Sequence, residues 1–600
     1  MFNMVPERHP AFDFIIDYFL KTHNLTEEKL DYIKNPKAIH LHDPLLLEGI
    51  DTYLEELEAL RQSDAKIVIH PDYDADGVTS GMILYYALKL FGFNNVTMYY
   101  PKATDGFGIN PTAAKHILAM SPEAVLTTDN GTTGFEGIDI LKSHGVKVLV
   151  SDHHLGEGQN PNADAHVNPN GVLDDSYPFK EICGATVIWK VMYAYAKKYQ
   201  TDKLYAVRQL IVLAGIGTVC DVMPLIDENR YIIVKSLEIF NHLEVFDRLC
   251  IDYYPELTPL VLGLKALRTI LEENQKLEGD AQADTYGFYI GPMLNTPRRL
   301  LDDPTLAFSV FEQSSYERAL DVAEQLYILN EERKREVSSV VDIAESNVEL
   351  SDPIIVQALD CRPGFAGLIA GRLNNDFGRP TIIFSTQGES GKLIGSARSP
   401  EWFHLKHGLD YVYKCHPEYF ISYGGHAQAA GISIYSEYLE SFKAALKVAV
   451  EGVLLEIGLS HPSESPREVA GVPLTLDVFA EGKIDISNVS AQEAVIQAVE
   501  YLEQFAPYGH GFRPLTFNFS IDSEDLNAYL MGARQNHIKM LPKGADIELI
   551  KWQSGKRYME YLETNPGPIV FTGTVGMNEY KGKRTFQFLV EQVHSQGKGV

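Results

Sequence analysis

Cysteine is scarce in this 600-residue chain, which has five cysteines far apart in the sequence: Cys183, Cys220, Cys250, Cys361 and Cys415. No two of them have the Cys-x-x-Cys spacing of a structural zinc site or a redox motif. Uninterrupted apolar runs are short as well, and none approaches the roughly 18 residues that a membrane span needs. We therefore expect buried cysteines that act as small apolar side chains, and we expect neither a zinc finger nor a membrane-spanning protein.

Basic residues are few relative to acidic ones, with 52 Lys and Arg against 81 Asp and Glu and a net charge of −29. Because Lys and Arg supply most of the non-specific affinity for nucleic acids, the total charge does not favour such a partner. A local basic stripe and bound metal ions can still create a positive field where it is needed. The first residues, MFNMVPERHPAFDF, also lack the basic and apolar regions of a secretory signal, so we expect a cytoplasmic protein.

The length predicts several domains, since single hydrophobic cores stop growing near roughly 250 to 300 residues. Strand-like runs followed by helical runs recur between residues 63 and 235, which predicts an α/β fold with a parallel sheet. A second α/β block and a strand-rich C-terminal part follow, and the polar segment SHPSESPRE (460–468) is the clearest linker. The predicted domains are a helical cap (1–62), an α/β domain (63–235), a helical connector (236–348), a second α/β domain (349–458) and a β-barrel of the oligonucleotide-binding (OB) type (466–600). A long helix in the connector, over the charged segment LNEERKREVSSVVDIAES, is predicted to join the two α/β domains.

Acidic and histidine side chains follow three successive strands of the first α/β block. HPDYDADG places His70, Asp74 and Asp76 between a strand and a helix, and TTDNG places Asp129 after another strand. Carboxylates and imidazoles are ligands of divalent cations, although each aspartate could instead cap the helix that follows it. The carboxyl ends of parallel strands meet at one edge of a sheet, so these side chains are expected to lie close together.

Two further motifs complete the pattern. SDHH ends the third strand with Asp152, His153 and His154, and GTVCDVMPL places Asp221 after a glycine-marked helical run, where a helix C-cap is the alternative. Together the four motifs predict a pair of cations about 3.5 to 4 Å apart that share a carboxylate, the usual device for phosphoester hydrolysis.

In this order the four motifs resemble the signature motifs of the DHH phosphoesterases, and Asp152, His153 and His154 match the triplet that names the family. The resemblance implies one metal held by His70, Asp74 and Asp129 and a second held by Asp76, Asp129, His153 and Asp221. It also implies that Asp129 bridges the two metals. The resemblance further implies that His154 contacts the scissile phosphate and that Asp152 orients the metal site without binding a metal itself.

Downstream segments are similar to the DHH-associated domain. GSARS (Gly395 to Ser399) and GGHAQAAG (Gly424 to Gly431) carry this similarity. By resemblance, the residues that bind a phosphate or a terminal nucleotide are Ser396, Arg398, Gly424, Gly425 and His426. Arginine offers a fork of donors and Gly-Gly lets backbone amides approach closely, which suits this role.

Other segments resemble the RecJ members of the family. These are IGPMLNTPRRL (Ile290 to Leu300), with Asn295 and Arg299 as implied substrate contacts, LNEERK, and LEQFAPYGHGFRPLTF before the strand-rich end. RecJ proteins commonly have arginine where Met293 stands and glycine where Arg298 stands. The family's Pro-x-Arg is also replaced by Pro101-Lys102-Ala103.

The resemblance implies a two-metal exonuclease that degrades single-stranded DNA processively from 5′ to 3′ with Mn²⁺ or Mg²⁺, as a monomer in DNA repair and recombination. A helicase or a single-strand-binding protein is a candidate partner, which the sequence by itself does not identify. Aromatic and basic residues of the barrel, namely Phe512, Arg513, Lys581, Lys583, Arg584 and Phe586, could stack bases and attract phosphates, or the aromatics could fill the barrel core. The alternatives are a hydrolase of short oligonucleotides or dinucleotides and an inactive DHH-type scaffold.

Overall fold

The computed structural model describes residues 10–156, 158–171, 176–349, 351–459, 462, 474–477, 484–485, 489–532, 535–543, 547–552, 555–580, 583–595 and 598–599. The chain divides into two compact units. One comprises residues 35–336 with residues 507–512, and the other comprises residues 1–34, 337–506 and 513–600. Apart from Pro462, the predicted linker at 460–468 lies outside the described residues.

The helices of the described chain are α1 (Pro10–Thr22), α2 (Glu27–Lys34), α3 (Ile50–Gln62), α4 (Ala75–Leu90), α5 (Pro111–Ala119), α6 (Phe135–Ser143), α7 (Gly184–Tyr199), α8 (Leu204–Gln209), α9 (Ile211–Cys220), α10 (Asp227–Asn241), α11 (Leu243–Tyr253), α12 (Thr258–Glu273), α13 (Ala283–Thr285), α14 (Gly291–Leu300), α15 (Thr305–Ser309), α16 (Tyr316–Ser346), α17 (Ala366–Phe377), α18 (Leu405–Cys415), α19 (Leu439–Glu456), α20 (Val489–Leu502) and α21 (Gly555–Thr564).

The strands are β1 (Ile67–Pro71), β2 (Val96–Met98), β3 (Ala124–Thr128), β4 (Lys147–Ser151), β5 (Ala165–Val167), β6 (Ile355–Leu359), β7 (Thr381–Ser385), β8 (Lys392–Arg398), β9 (Phe420–Gly425), β10 (Ala429–Tyr435), β11 (Leu474–Asp477), β12 (Ile484–Asp485), β13 (Phe517–Asp522), β14 (Leu526–Met531), β15 (His537–Pro542), β16 (Glu548–Lys551), β17 (Pro568–Tyr580), β18 (Lys583–Ser595) and β19 (Lys598–Gly599).

A parallel sheet organises the unit of residues 35–336. Its strand order is β2-β1-β3-β4-β5, and its central strands are short, apolar and buried on both faces, as expected when helices cover a parallel sheet. The register pairs Pro71 with Thr128 and Thr128 with Ser151, so β1, β3 and β4 end at the same level. The sheet therefore brings the residues that follow these three strands to one place.

Helices α4, α7 and α9 pack against one another beside this sheet. Helix α4 is buried on nearly every side, which explains why its sequence is apolar all round instead of amphipathic. The stretch Thr201–Cys220 has a mean hydropathy of 1.4 over an 18-residue window, enough by length and composition for a membrane span. It is divided between α8, α9 and a preceding 3₁₀ turn, and 61% of that window is buried inside the protein, as in a core helix.

The other unit contains two sheets. The first has the order β6-β7-β8-β10-β9, with β6 and β7 parallel and the remaining pairs antiparallel. The second is mostly antiparallel and comprises β11 to β19, which together with α21 form the C-terminal β domain. The α/β fold class with a strand-rich C-terminal domain, predicted from the sequence, is confirmed, as is the long helix α16 of 31 residues.

The structure divides one predicted domain between the two compact units and corrects one expectation about the cysteines. The predicted cap (1–62) falls in two units, because α1 packs against α20 through the ring contacts of Phe12 with Tyr501 and Phe19 with Phe505. All five cysteines are predicted to be buried, but Cys220 is only half-buried and Cys415 is exposed at the last residue of α18, so the expectation is wrong for Cys415.

Candidate metal centre and active site

The ends of β1, β3 and β4 place carboxylate and imidazole groups side by side. His153 Nε2 lies 3.1 Å from Asp129 Oδ1, 3.5 Å from Asp221 Oδ2 and 3.9 Å from Asp76 Oδ2. Asp129 and His153 follow β3 and β4, and Asp76 and Asp221 lie at the ends of α4 and α9, so only the folded chain assembles them. The four motifs found in the sequence thus converge on one point.

The ligand atoms at this point are buried and unsatisfied. Asp129 Oδ1, His153 Nε2, Asp221 Oδ2 and His70 Nε2 have no hydrogen-bond partner among the described residues. Leaving such atoms buried costs about 1 to 3 kcal/mol each, and more for charged groups. Bound cations would satisfy all four, so the donor set fits divalent metal ions.

Within the described part of the chain, three groups of side chains each bring their ligand atoms within 4.8 Å of one another. They are Asp76 with His153 and Asp221, Asp129 with His153 and His154, and Asp72 with Asp74 and Asp129. Asp129 joins the second and third groups and lies beside the first, which is the position a bridging carboxylate would need. Asp72 was not among the predicted ligands, although it stands inside the motif HPDYDADG.

His70 lies outside these three groups, but its ring is held in a fixed orientation that leaves one nitrogen available to bind a metal. Its ring stacks on Tyr99 and its Nδ1 lies 3.2 Å from Asn130 Oδ1, which leaves Nε2 as the available nitrogen. Burial lowers the pKa of His70 to about 4 and also lowers that of His153, so both rings are neutral near pH 7. A neutral imidazole is the form that binds a metal ion.

Helix N-termini hold two of the aspartates. Asp74 caps α4, because its Oδ1 accepts hydrogen bonds of 3.0 Å from the N–H groups of Asp76 and Gly77. Asp76 in turn accepts from the N–H groups of Gly184 and Ala185 at the start of α7, at 2.7 and 3.0 Å. The capping role considered from the sequence is therefore real for Asp74, and its second oxygen remains for the group it forms with Asp72 and Asp129.

Glycines make room for the centre. A Cβ at Gly184 would lie 2.6 Å from Asp129 Oδ1, and a Cβ at Gly217 would lie 2.4 Å from Asp76 Oδ1. Asp129 itself has a φ of +61°, a left-handed conformation that Asn and Asp adopt more readily than most residues. The TTDNG turn thus places the carboxylate of Asp129 directly against α7.

Asp152 orients the two histidines that follow it. It accepts hydrogen bonds from the N–H groups of Thr132, His153 and His154 and from the His154 ring at Nδ1, 2.8 Å away. Burial alone would raise the pKa of Asp152, but the hydrogen bond and charge of His154 keep it below its ordinary value. Burial would likewise lower the pKa of His154, yet Asp152 raises it to about 9.

The carboxylates carry excess negative charge. Burial and the charges of neighbouring aspartates raise the pKa values of Asp72 and Asp221 to about 8, and they raise that of Asp129 well above its ordinary range. Mutual repulsion of this kind is relieved by a divalent cation as well as by a proton.

Two residues predicted to contact substrate lie beside the centre on α14. Asn295 Oδ1 accepts a hydrogen bond of 2.8 Å from the N–H of Ala75, so it holds the loop that carries Asp74 and Asp76. Burial lowers the pKa of Arg299, which lies near Tyr73 and Asp74.

The structure also shows the surroundings of the three residues at which the sequence departs from the RecJ pattern. Met293 is fully buried, Lys102 pairs with Asp303 at 3.2 Å, and the Arg298 guanidinium lies 4.6 Å from the centre of the Tyr73 ring. Arg333 is a further cation that the sequence reasoning did not single out, and burial with the charge of Arg299 lowers its pKa to about 10.

The predicted phosphate-binding residues of the second α/β domain lie together at one end of its sheet. Arg398 Nη1 donates to Ser396 Oγ at 3.2 Å, and β10 pairs with both β8 and β9 there, opposite Ser396 and Gly424 through Gly431. A Cβ at Gly424 or Gly431 would meet nothing within 4 Å, so this end of the sheet is open. Burial and the charge of Arg398 lower the pKa of His426.

Both aromatics chosen from the sequence for the barrel are buried, Phe512 with 2% and Phe586 with 4% of its surface exposed. Phe586 lies on β18 and fits the prediction of a core residue, whereas Phe512 groups with residues 35–336 and is not a residue of the barrel. Arg513 is exposed, whereas Lys581 and the side chains of Lys583 and Arg584 lie outside the described residues. Tyr529 and Trp552 are exposed by 54% and 56%, and the sequence reasoning did not single them out.

Comparison with known proteins gives three domain matches. Residues 66–216 match the N-terminal domain of the DHH family, residues 351–452 match the DHHA1 domain, and residues 484–592 match the RecJ OB domain. The single-stranded-DNA-specific exonuclease RecJ of Haemophilus influenzae is 28% identical over 94% of both chains, and that of Dickeya dadantii is 28% identical over 92% of both. The crystal structure of Thermus thermophilus RecJ with Mn²⁺ matches with a TM-score of 0.70 at 21% identity, covering 96% of this chain and 77% of that one.

A parallel sheet whose strand ends gather paired carboxylate and imidazole ligands defines a metal-dependent phosphoesterase. The chain contains, in this order, a DHH domain, a DHHA1 domain and a RecJ OB domain, and over more than nine tenths of its length it is similar to exonucleases named RecJ.

Proposed function

We propose that this protein is a two-metal exonuclease that hydrolyses the phosphodiester bonds of single-stranded DNA, processively from 5′ to 3′, in cytoplasmic DNA repair and recombination. The observation that carries the proposal is the set of buried, unsatisfied ligand atoms around Asp129. The similarity to exonucleases named RecJ over nearly the whole chain supports the substrate, and the RecJ OB domain supports a single strand over a dinucleotide.

The metal ions have specific candidate ligands. Asp76, His153 and Asp221 would hold one cation, and Asp72, Asp74 and Asp129 would hold the other, with His70 as a further ligand through its free Nε2. When bound, Mn²⁺ or Mg²⁺ supplies an acidic water and charge stabilisation for a phosphoryl group.

The chain's own groups then act on the phosphate. His154 is 45% exposed in its side chain, its Nδ1 is committed to Asp152, and its pKa of about 9 keeps it protonated near neutral pH. Its Nε2–H is therefore available to donate a hydrogen bond to a phosphate oxygen. The guanidinium groups of Arg298, Arg299 and Arg333 would bind neighbouring phosphates, and Ser396, Arg398 and His426 would bind a phosphate or a terminal nucleotide.

Digestion of end-labelled single strands tests the proposal. Strands labelled at either end, with and without a 5′-phosphate, matched duplexes and dinucleotides are incubated with Mn²⁺, Mg²⁺ or a chelator. We expect mononucleotides released first from the 5′ end, in either metal and only from single strands. Release from the 3′ end would overturn the polarity, and cleavage confined to dinucleotides would identify the short-substrate hydrolase. Absence of cleavage in both metals would identify the inactive scaffold.

A further inference from the structure

A short segment from far along the chain belongs to the unit that holds the metal centre. Residues 507–512, here called the strap, follow α20 and precede β13, yet they group with residues 35–336. Hydrogen bonds between Gly509 and Phe512, 2.9 and 3.2 Å long, close the strap into a tight turn. The strap therefore has a fixed shape of its own.

The strap contacts the turn that follows Asp221. This turn begins where α9 ends, continues through Val222 in a left-handed conformation with φ +56°, and reaches Leu225 before α10. Asp221 contributes the Oδ2 that lies 3.5 Å from His153 Nε2, so the turn carries one of the candidate metal ligands. The position of Asp221 therefore depends both on α9, whose C-cap it is, and on the contacts that hold the turn after it.

The strap supplies partners that the turn needs. The N–H of Leu225 donates to His510 O at 2.8 Å. Arg230, which is fully buried on the first turn of α10, donates through Nη1 to Pro507 O and lies 5.1 Å from the centre of the Phe512 ring. Without these contacts the Leu225 N–H would lose its partner and a buried guanidinium would lose an acceptor, which is costly in a low-dielectric interior.

The fit between strap and turn leaves no free space. A Cβ at Gly511, whose φ is +70°, would lie 2.6 Å from Pro224 Cβ, and a Cβ at Gly509 would lie 2.6 Å from Leu225 Cδ1. Close packing of this kind transmits displacement, because interiors have low compressibility.

We propose that the strap is a positioning element for Asp221, so that the affinity of one of the two metal sites depends on residues 507–512. The inference rests on the proposed function, because it takes the residues around Asp129 to be a two-cation site. Its consequence is that the chain after α20 contributes to the metal centre as well as to the C-terminal β domain.

Full-length Gly511→Ala tests this role, with Gly458→Ala as the matched control. Both glycines have similar left-handed conformations, with φ +70° and +76°, but a Cβ at Gly458 would meet nothing within 4 Å. Both substitutions therefore place a Cβ in a similar left-handed backbone conformation, at a similar cost in stability. Only Gly511→Ala also brings the new Cβ into steric conflict with Pro224. Mn²⁺ binding to the metal-free proteins is titrated by electron paramagnetic resonance of the free ion. Thermal unfolding of the same proteins shows whether each variant is folded.

We expect Gly511→Ala to bind one Mn²⁺ like the wild type and the second at least tenfold more weakly, with Gly458→Ala binding both normally. Unchanged binding of both ions by Gly511→Ala would overturn the proposal, as would an equal loss in Gly458→Ala. If Gly511→Ala does not fold, Gly509→Ala replaces it, because the flexible end of Leu225 can yield to its Cβ. Binding needs no DNA, so a wild type that binds two Mn²⁺ without cleaving DNA would refute the nuclease and leave the strap proposal standing.

Discussion

At the scale of single residues, Asp129 carries the strongest prediction. We expect Asp129→Asn to lose more activity than the roughly 10- to 100-fold that changes outside the ligand shell cost, because the shared carboxylate oxygen is gone. Folding should persist, and the metal-free protein should be somewhat more stable, since repulsion from Asp74 and Asp76 disappears. Nuclease assays and thermal unfolding with a chelator check both expectations. Wild-type activity in the purified variant would refute the assignment of Asp129 as a shared ligand.

The same residues predict how the stability of the metal-free protein depends on pH. Burial and neighbouring charges raise the pKa values of Asp72 and Asp221 to about 8, and Asp152 raises that of His154 to about 9. Groups whose pKa is higher in the folded state bind protons on folding, so their stabilisation is lost as pH rises. His70 and His153 have lowered pKa values and act in the opposite direction only below their ordinary value of 6.5.

We therefore expect the free energy of unfolding of the metal-free protein to fall between about pH 6.5 and 8. Denaturant unfolding at several pH values in a chelator measures this slope. Asp221→Asn should flatten it, because one of the groups that titrates in this range is removed. A slope of the opposite sign, or an Asp221→Asn slope equal to that of the wild type, would contradict the charge distribution described for the site.

At the scale of elements, the N-terminus of α7 sets the position of Asp129. Gly184→Ala would place a Cβ 2.6 Å from Asp129 Oδ1, and a shift of about 1 Å in a reacting group can cost about 100-fold in rate. We expect a loss of that order in single-turnover cleavage, together with a destabilisation of about 1 to 3 kcal/mol in thermal unfolding from the crowding of a buried site. Gly287→Ala, in the same unit, is the control, because its Cβ would meet only Val219 Cγ1 at an ordinary 3.4 Å. Equal activities in the two variants would count against this constraint.

The C-terminal β domain offers exposed aromatics in place of the interior ones suggested by the sequence. We expect Tyr529→Ala and Trp552→Ala to raise KM for long strands, since stacking on an aromatic ring contributes about 1 to 3 kcal/mol per base. The corresponding increase is roughly fivefold or more for each residue that contacts DNA. Cleavage of the shortest substrates should be unchanged and serves as the control. An equal effect on short and long strands would place these residues outside the DNA path.

At the scale of the whole molecule, net charge and local binding predict opposite effects of salt. With a net charge of −29, long-range repulsion from DNA weakens as salt increases, which alone would tighten binding. Phosphate contacts release counterions, so they predict that log K falls against log salt with a slope of about −0.7 for each phosphate neutralised on a single strand. We expect the second behaviour. Binding of a long strand to full-length Asp129→Asn at fixed Mn²⁺ measures it, and a positive slope would show that the local contacts are too weak to outweigh the net charge.

The amino-acid sequence by itself determined the secondary structure of much of this protein and the side chains that follow each strand of the first sheet. Apolar β-branched runs predict β1, β3 and β4, and because parallel strands end at one edge, they also predict that Asp129, Asp152 and His153 lie together. The strands of the C-terminal β domain and the long helix α16 were predictable for the same reason, since hydrophobic periodicity depends on neighbours in the chain. The motif resemblance extended this to the two-metal chemistry and the domain order.

Only the tertiary structure decided which atoms face the site. Asp76 accepts hydrogen bonds from amides of α7 that lie 108 and 109 positions further along the chain. Asp72 lies with Asp74 and Asp129 in one group of candidate ligands, although the sequence motifs did not predict it as a ligand. The burial of Phe512 and Phe586 and the contact of residues 507–512 with the turn after Asp221 likewise depend on long-range packing. Periodicity shows which face of an element is apolar, but the partner that covers this face is determined by the energy of the whole fold.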